Sequence, residues 1–444
     1  MESITRELYR ILHSRIPRVE DKNKARTFAL DWLGCYGAGI RTEQGNILKN
    51  WSSKWAGTNV EQQVFLMAAL SHITETDDLH RGSVTHPACV VFPAAWHLCH
   101  RLKKPLGDFL TASLHGYEAM CRIGEAVGPS HYKIFHNTAT AGVYGSAAAA
   151  SYLLNLDEGP FVWAMGNAGT QAAGLWQFNE DATMSKHLHA GHAAAAGLKA
   201  ALLAAEGFTG PAQILEGKKG FFAGLCPDPV PDAVTSPSEG WKLAETSIKP
   251  YPSCRHTHPA IDASLSIREE IESNGIEPNQ IKSVELRTYE TALRVTDNPT
   301  PESTYAAKFS LQYCVALALK HGFPGLHYFE GELLKKTINS ALIKKINLSM
   351  NKKFDEAYPK HWGSGITVQA AGRSFRSDVT AAKGDPENPL SEEELLQKFY
   401  GLMDYGGLEK ERARRLASWI LEAAETELVD APEFNSSARN KKLI

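Results

Sequence analysis

The stretch GHAAAAGLKAALLAAEGFTG, residues 191 to 210, decides how the first half of this chain is built. Alanine and glycine fill most of it, so its backbone can lie close to its neighbours, as a bundle buried on several sides requires. It ends at Gly207, a residue suited to the left-handed position after a helix. Upstream the texture is the same. Helices are expected over Lys24 to Gly37, Val60 to Ile73, Pro93 to Leu102, Asp108 to Val127, Thr138 to Leu154, Phe161 to Trp176 and Ala190 to Glu206. Downstream it changes once, after Lys249-Pro250-Tyr251-Pro252. There SVELRTY (283–289), KINLSM (345–350) and ITVQAAGRSFRSDV (366–379) alternate as strands, with Ala371-Gly372 placed for a hairpin turn. Helical stretches lie between them, Ser303 to His321 and Tyr328 to Lys344, and helix returns in SEEELLQKFYGLM and from Leu408 to Leu428. The expected fold is therefore mainly α. Residues 1–249 and 390–444 form an all-α helical domain from both chain ends, and 250–389 form an inserted α+β domain.

Composition narrows the function. The 444 residues exceed one ordinary core, and 43% hydrophobic with 22% charged residues is a globular balance. No apolar run reaches the roughly 18 to 20 residues of a membrane span. The opening MESITRELYRILHSRIPRVED reads as a surface helix without a signal-peptide pattern, which places the protein in the cytoplasm. Seven cysteines are scattered with no C-x-x-C pair, so neither a disulfide framework nor a thiolate metal site is expected. A formal charge of −3 lacks the basic excess that nucleic-acid binding uses.

Standard motifs are missing as well. The sequence has no G-x-x-x-x-G-K-[ST], no H-E-x-x-H and no G-x-S-x-G, and GCYGAG (34–39) ends a helix where a dinucleotide loop would begin one. In KHLHAGH, His189 and His192 are three apart, but no third ligand has a metal-site spacing; no metal and no cofactor is expected.

What remains is a set of four histidine-bearing loops beside helices: TETDDLHRGSVTHP (74–87), KIFHNTATAG (133–142), ATMSKHLHAGHAA (182–194) and SIKPYPSCRHTHPA (247–260). Singly, each has an ordinary reading: a capping histidine at 136, a solvated lysine at 186, an N-cap pair at Asp77-Asp78. Together they set titratable groups among small, turn-forming neighbours, which is how side chains are presented to a cavity.

DDLHRGSVTHP, FHNTATAGVYGSAAAAS, SKHLHAGHAAAAG with GFTGPAQILEG, and KPYPSCRHTH, in this order, resemble the MmgE/PrpD family over about residues 25 to 400. The resemblance implies a helical domain with an inserted α+β lid, a homodimer and no cofactor. The activities it implies are dehydration of 2-methylcitrate, decarboxylation of cis-aconitate or epimerisation of iminodisuccinate. Position by position it implies catalytic roles for His86, His136, Lys186 and His258, with Glu75 or Asp77 orienting His86. His136 and His258, meeting across the domain cleft, are the expected acid–base pair. His80, Arg81, Lys186, His189, Arg255 and Tyr313 are the expected substrate-binding set. Two positions depart from the family pattern: Glu75 stands where the decarboxylase has aspartate, and Leu79 where decarboxylase and dehydratase have threonine. The loop from the acidic pair to His86 is also one residue longer. The expected function is thus a lyase acting on a small di- or tricarboxylic acid, with dehydration first. Decarboxylation, isomerisation of an aconitate-like acid and epimerisation follow, and a non-catalytic helical scaffold is the distant alternative.

Overall fold

The structure is a computed structural model describing residues 3–56 and 59–429; the remainder of the expected terminal segment 390–444 lies outside the described residues. It divides into two compact units. One comprises Met1–Ile73, Asp77–Thr246 and Glu392–Ile444, and the other comprises Thr74–Thr76 and Ser247–Ser391.

The first unit is helical. Its central helix, Asn137–Leu153, packs against Leu106–Ala126, Ala88–Leu102, Glu158–Gly169 and Ser185–Ala205. Small residues are what permit this. A Cβ on Gly197 would stand 2.3 Å from the carbonyl oxygen of Val143, so helices 137–153 and 185–205 touch backbone to side-chain-free backbone. Three helices of this unit end at least two residues before their expected bounds, Val60–Ser71 by two residues and two others by more. The one expected over Phe161 to Trp176 is Glu158–Gly169, and Gly169 packs against Tyr144 and Ile214 with no room for a side chain. The last helix is Lys410–Glu422, shorter than the expected Leu408 to Leu428. Its C-terminal carbonyls are capped by the Arg26 guanidinium, which donates to Ile420 O at 2.8 Å and Ala423 O at 2.7 Å. No helix among the described residues is long and apolar enough to cross a membrane. All seven cysteines are buried thiols.

The second unit is built on a four-stranded sheet: β1 (Ile281–Thr288), β2 (Ile346–Met350), β3 (Ser364–Ala370) and β4 (Arg373–Val379), in the order β2-β1-β3-β4. β1 and β2 run parallel, and the other pairs are antiparallel. Val284, Leu286, Ile366 and Val368 face a core shared with the helices His258–Ser273 and Leu311–His321. The expected helix from Ser303 to His321 is two helices, Thr304–Lys308 and Leu311–His321. Ser303 Oγ accepts from Ala306 N, and Ser310 Oγ accepts from Tyr313 N, so each serine starts its own helix. The stretch 328–344 breaks likewise around Gly331–Ile338, at whose start Gly331 has φ +53°.

The β3–β4 hairpin closes on Ala371 and Gly372, with φ of +49° and +78°, the pair of positive values that a two-residue I′ loop uses. An alanine there carries the left-handed penalty that asparagine largely avoids. Ala371→Asn is expected to add about 1 kcal/mol to stability, measured as a higher denaturant midpoint at unchanged slope.

The segment 74–76 joins the second unit through two lysines. Lys308 Nζ donates to Thr74 O at 2.8 Å, and Lys249 Nζ lies 3.5 Å from Glu75 Oε2. Glu75 takes φ +59°, a strained value for a side chain of its length, and it is the ion pair that occupies its carboxylate.

Candidate active site

Three of the four loops converge inside the helical unit. His86 stands just before helix Ala88–Leu102, His136 just before helix Asn137–Leu153, and Lys186 in the first turn of helix Ser185–Ala205. Backbone bonds hold them in place. Thr138 Oγ1 accepts from His86 N at 3.0 Å, Asn137 Nδ2 donates to Ser83 O at 2.8 Å, and His136 N donates to Gly174 O at 2.9 Å. Gly174, at φ +140°, approaches Ala139 so closely that a Cβ would lie 2.5 Å from it. The side chains of His86, His136 and Lys186 are 8%, 2% and 2% exposed, so the lysine expected as a solvated residue under the ordinary reading is buried.

A residue that the sequence did not single out, His72, sits at the centre. It follows the helix Val60–Ser71, and its Nδ1 donates to Asp77 Oδ2 at 2.6 Å. Its ring lies 4.9 Å from that of His86, 6.2 Å from that of His187, and 5.8 Å from that of His136, to which it is nearly parallel at 13°. His86 Nδ1 is 2.6 Å from Asp78 O and 3.5 Å from Asp77 Oδ2. Asp77 therefore makes its closer contact with His72, and the backbone of Asp78 is what orients His86. The sequence signal for His72 was its place five residues ahead of Asp77, on the end of a helix that was read as ordinary core.

On the other side of His136 is His189, with Nδ1 atoms 3.4 Å apart, and two aromatic rings, Trp176 at 5.4 Å and Phe178 at 5.7 Å. Burial, then the neighbouring His189, Lys186, His72 and His86, pushes His136 well below the ordinary histidine range. Burial, then the neighbouring His72, His192 and Lys186, lowers His189 to about 4. Asp78 moves the other way: burial and the adjacent Asp77 raise its carboxyl well above the carboxylate range, although Tyr117 Oη at 2.8 Å and Ala88 N at 3.0 Å donate to it. Two imidazoles of the cluster, His136 and His189, are thus held toward their neutral form beside buried Lys186.

The remaining expected residues make the following contacts, each within its own unit. His80 Nδ1 accepts from Ser83 N at 3.2 Å, and its Nε2 faces Glu245 at 3.6 Å and Glu125 at 3.8 Å. Arg81 is buried in the same turn, where its carbonyl accepts from Val84 N. His258 belongs to the second unit, where Nδ1 accepts from Arg255 at 2.9 Å and Nε2 donates to Ser253 O at 3.2 Å. Arg255 is ion-paired with buried Asp385 and donates to Lys383 O. Tyr313 is in that unit's apolar core, its hydroxyl donating to Tyr328 O.

Among the described residues, two groups have the ligand atoms of a cation site within 4.8 Å of one another: His72, Asp77 and His86, and His80, Glu125 and Glu245. In the second, Lys242 Nζ stands 3.0 Å from both carboxylates, where a metal would go. In the first, the short His72–Asp77 contact is a hydrogen bond, an arrangement suited to moving protons. The weaker pair seen in the sequence is divided: His189 faces His136, and His192 Nε2 donates to Gln171 O at 3.1 Å.

Buried histidines, a lysine and a carboxylate gathered from loops of one helical unit are a family-level feature, and comparison with known proteins identifies which family. Residues 10–233 match the MmgE/PrpD N-terminal domain and residues 251–423 the MmgE/PrpD C-terminal domain. The chain belongs to the MmgE/PrpD family. It is 26% identical over 434 residues to a cis-aconitate decarboxylase of Homo sapiens, covering 90% of this chain and 87% of the human one. It is 28% identical over 357 residues to that of Mus musculus, covering 76% and 70%. A mitochondrial 2-methylcitrate dehydratase of Yarrowia lipolytica is 29% identical over 109 residues, covering 24% of this chain and 21% of its own length.

Proposed function

We propose that this protein is a cofactor-independent lyase acting on a small di- or tricarboxylic acid, with decarboxylation of a cis-aconitate-like substrate as its reaction. The observation that carries the reading is the packing of His72, His86 and His136 against one another beside Asp77 and Lys186. Such a set supplies an acid, a base and a carboxylate anchor from protein groups alone.

In decarboxylation, the bond to the departing carboxylate breaks and its electron pair forms a new double bond. The old double bond shifts its pair to the far carbon, which takes a proton from an imidazolium as carbon dioxide leaves. Lys186 serves as the point charge for a carboxylate that stays. In dehydration, an imidazole takes a proton from a carbon beside a carboxylate, and an acid protonates the hydroxyl, which leaves as water. Both reactions use the same groups. Similarity along most of the chain to cis-aconitate decarboxylases, against about a quarter of it to the dehydratase, supports loss of carbon dioxide first, the reverse of the order expected from the sequence. Incubation with cis-aconitate, trans-aconitate, citrate and 2-methylcitrate, with products read by NMR, tests this. Carbon dioxide release from an aconitate supports it; conversion of 2-methylcitrate alone selects dehydration; turnover of none sinks the reading.

The electrostatics give a second expectation. His136 is neutral near pH 7 because its environment holds it low. A bound polyanion favours its imidazolium, so binding takes up a proton and tightens as pH falls. For propane-1,2,3-tricarboxylate, a non-reacting probe, the dissociation constant is expected to drop by up to about tenfold per pH unit between pH 8 and 6.5. Calorimetry in buffers of different ionisation enthalpy should register proton uptake. Equal heats across buffers and a flat pH dependence would count against it.

A further inference from the structure

His72 is the least explained group of the cluster. It is wholly buried, Asp77 fixes its Nδ1–H, and its Nε2 has no hydrogen-bond partner among the described residues. A buried, unsatisfied ring nitrogen is destabilising, and simple core packing would be met better by an apolar residue.

We propose that Asp77 and His72 form a dyad that holds the proton of the site, with His72 Nε2 as the acceptor to which His86, whose ring meets that of His72 edge-on, passes a proton and from which it is returned. His72 is in this account a positioning residue, acting through the imidazoles that meet the substrate; the inference rests on the lyase reading above.

The geometry separates the candidates. A positive charge on His136 would face His72, His86, His189 and Lys186, none of which can compensate it. A positive charge on His86 would have Asp77 at 3.5 Å, with Nδ1 already engaged at Asp78 O. A positive charge on His72 would have the Asp77 carboxylate at 2.6 Å on the side away from the lone pair. Around His72 stand Asp77, His86, His136 and His187, with His189 within electrostatic reach, and of these Asp77 is the carboxylate. In the transfer, the Nε2 lone pair forms the new N–H bond as the donor ring's N–H breaks. The Nδ1–H remains on nitrogen, and Asp77 remains ionised, as in a carboxylate–histidine pair that steadies an imidazolium. The chain itself ties the two partners together. His72 and Asp77 flank the segment 74–76, which Lys308 and Lys249 grip at Thr74 O and the Glu75 carboxylate.

The test has two arms. Imidazole 15N shifts of the wild-type protein, assigned by comparison with His72→Asn, read the tautomer without any turnover. A neutral His72 protonated at Nδ1 is expected, and a proton at Nε2 overturns the dyad whatever the reaction proves to be. In the kinetic arm, His72→Asn and Asp77→Asn are each expected to lower kcat by about a hundredfold with KM within about threefold. The double variant should be no slower than either single one, since groups acting as a unit are not additive. Full additivity, or kcat near that of wild type in a folded single variant, overturns it. If wild type turns over no polycarboxylate, the lyase reading falls, and the NMR arm still decides whether the dyad exists.

Discussion

His136→Ala is expected to lower kcat/KM by about 10²–10⁴-fold, the contribution of a general acid or base, while the protein stays folded. The separation of the two effects follows from how His136 is held. It stands at the N-terminus of helix Asn137–Leu153, but its side chain makes no capping bond there; the backbone N–H, which any residue supplies, makes the anchoring bond to Gly174 O. What the substitution removes is a ring touching His189, Trp176 and Phe178. His136→Gln restores most of the volume and none of the titration, so it should regain the melting temperature without regaining activity. Lys186→Ala gives the contrasting signature. In the proposed role Lys186 holds a carboxylate in ground and transition state alike, so KM should rise more than kcat falls. The checks are steady-state kinetics on the preferred acid of the substrate panel and thermal melts of each variant. A His136→Ala variant that works within threefold of wild type on a substrate that wild type uses would remove His136 from the chemistry.

Much of this site could be read from residue types, and the part that could not has physical reasons. Loops that put histidine beside alanine, glycine and threonine announce themselves, because a packed helix junction would hold apolar residues there. His86, His136 and Lys186 come from such loops. His72 hides because it follows the apolar run VFLMAALS, where a histidine looks like a helix end, and only the folded chain shows its ring against three others. The strands of the second unit were legible by alternation, whereas the break of its long helix at Ser310 was not inferred, although the residue type was a signal: a serine within a helical pattern is a candidate N-cap. Glu75 illustrates a further limit. Sequence places it one residue from Asp77's neighbour, yet the chain turns through positive φ there, and its carboxylate goes to Lys249, 174 positions later.

Arg255→Ala is expected to destabilise the second unit by about 3–5 kcal/mol, the cost of leaving a buried charge without its partner. Arg255 is expected from the resemblance to hold a substrate carboxylate, and within its own unit the guanidinium, 2% exposed, is ion-paired with a carboxylate. Its NH2 is ion-paired with Asp385, 1% exposed, and its NH1 donates to His258 Nδ1 and to Lys383 O. Removing it takes the guanidinium from a buried carboxylate that also accepts from Ser247 Oγ at 2.6 Å and Ala382 N at 3.0 Å, both neutral donors. It also takes from His258 the donor that fixes its ring as the Nε2–H tautomer. Arg255→Lys keeps the charge but cannot reach Asp385, His258 and Lys383 O from one planar fork, so it should recover only part of the loss. Native-state hydrogen exchange at the amides of β1 and β3 measures this within the unit, and kinetics at a temperature where the variant is folded separates the two roles. A structural guanidinium gives faster exchange at near-normal KM. A substrate clamp gives a raised KM at unchanged exchange, and that outcome would return Arg255 to the binding site.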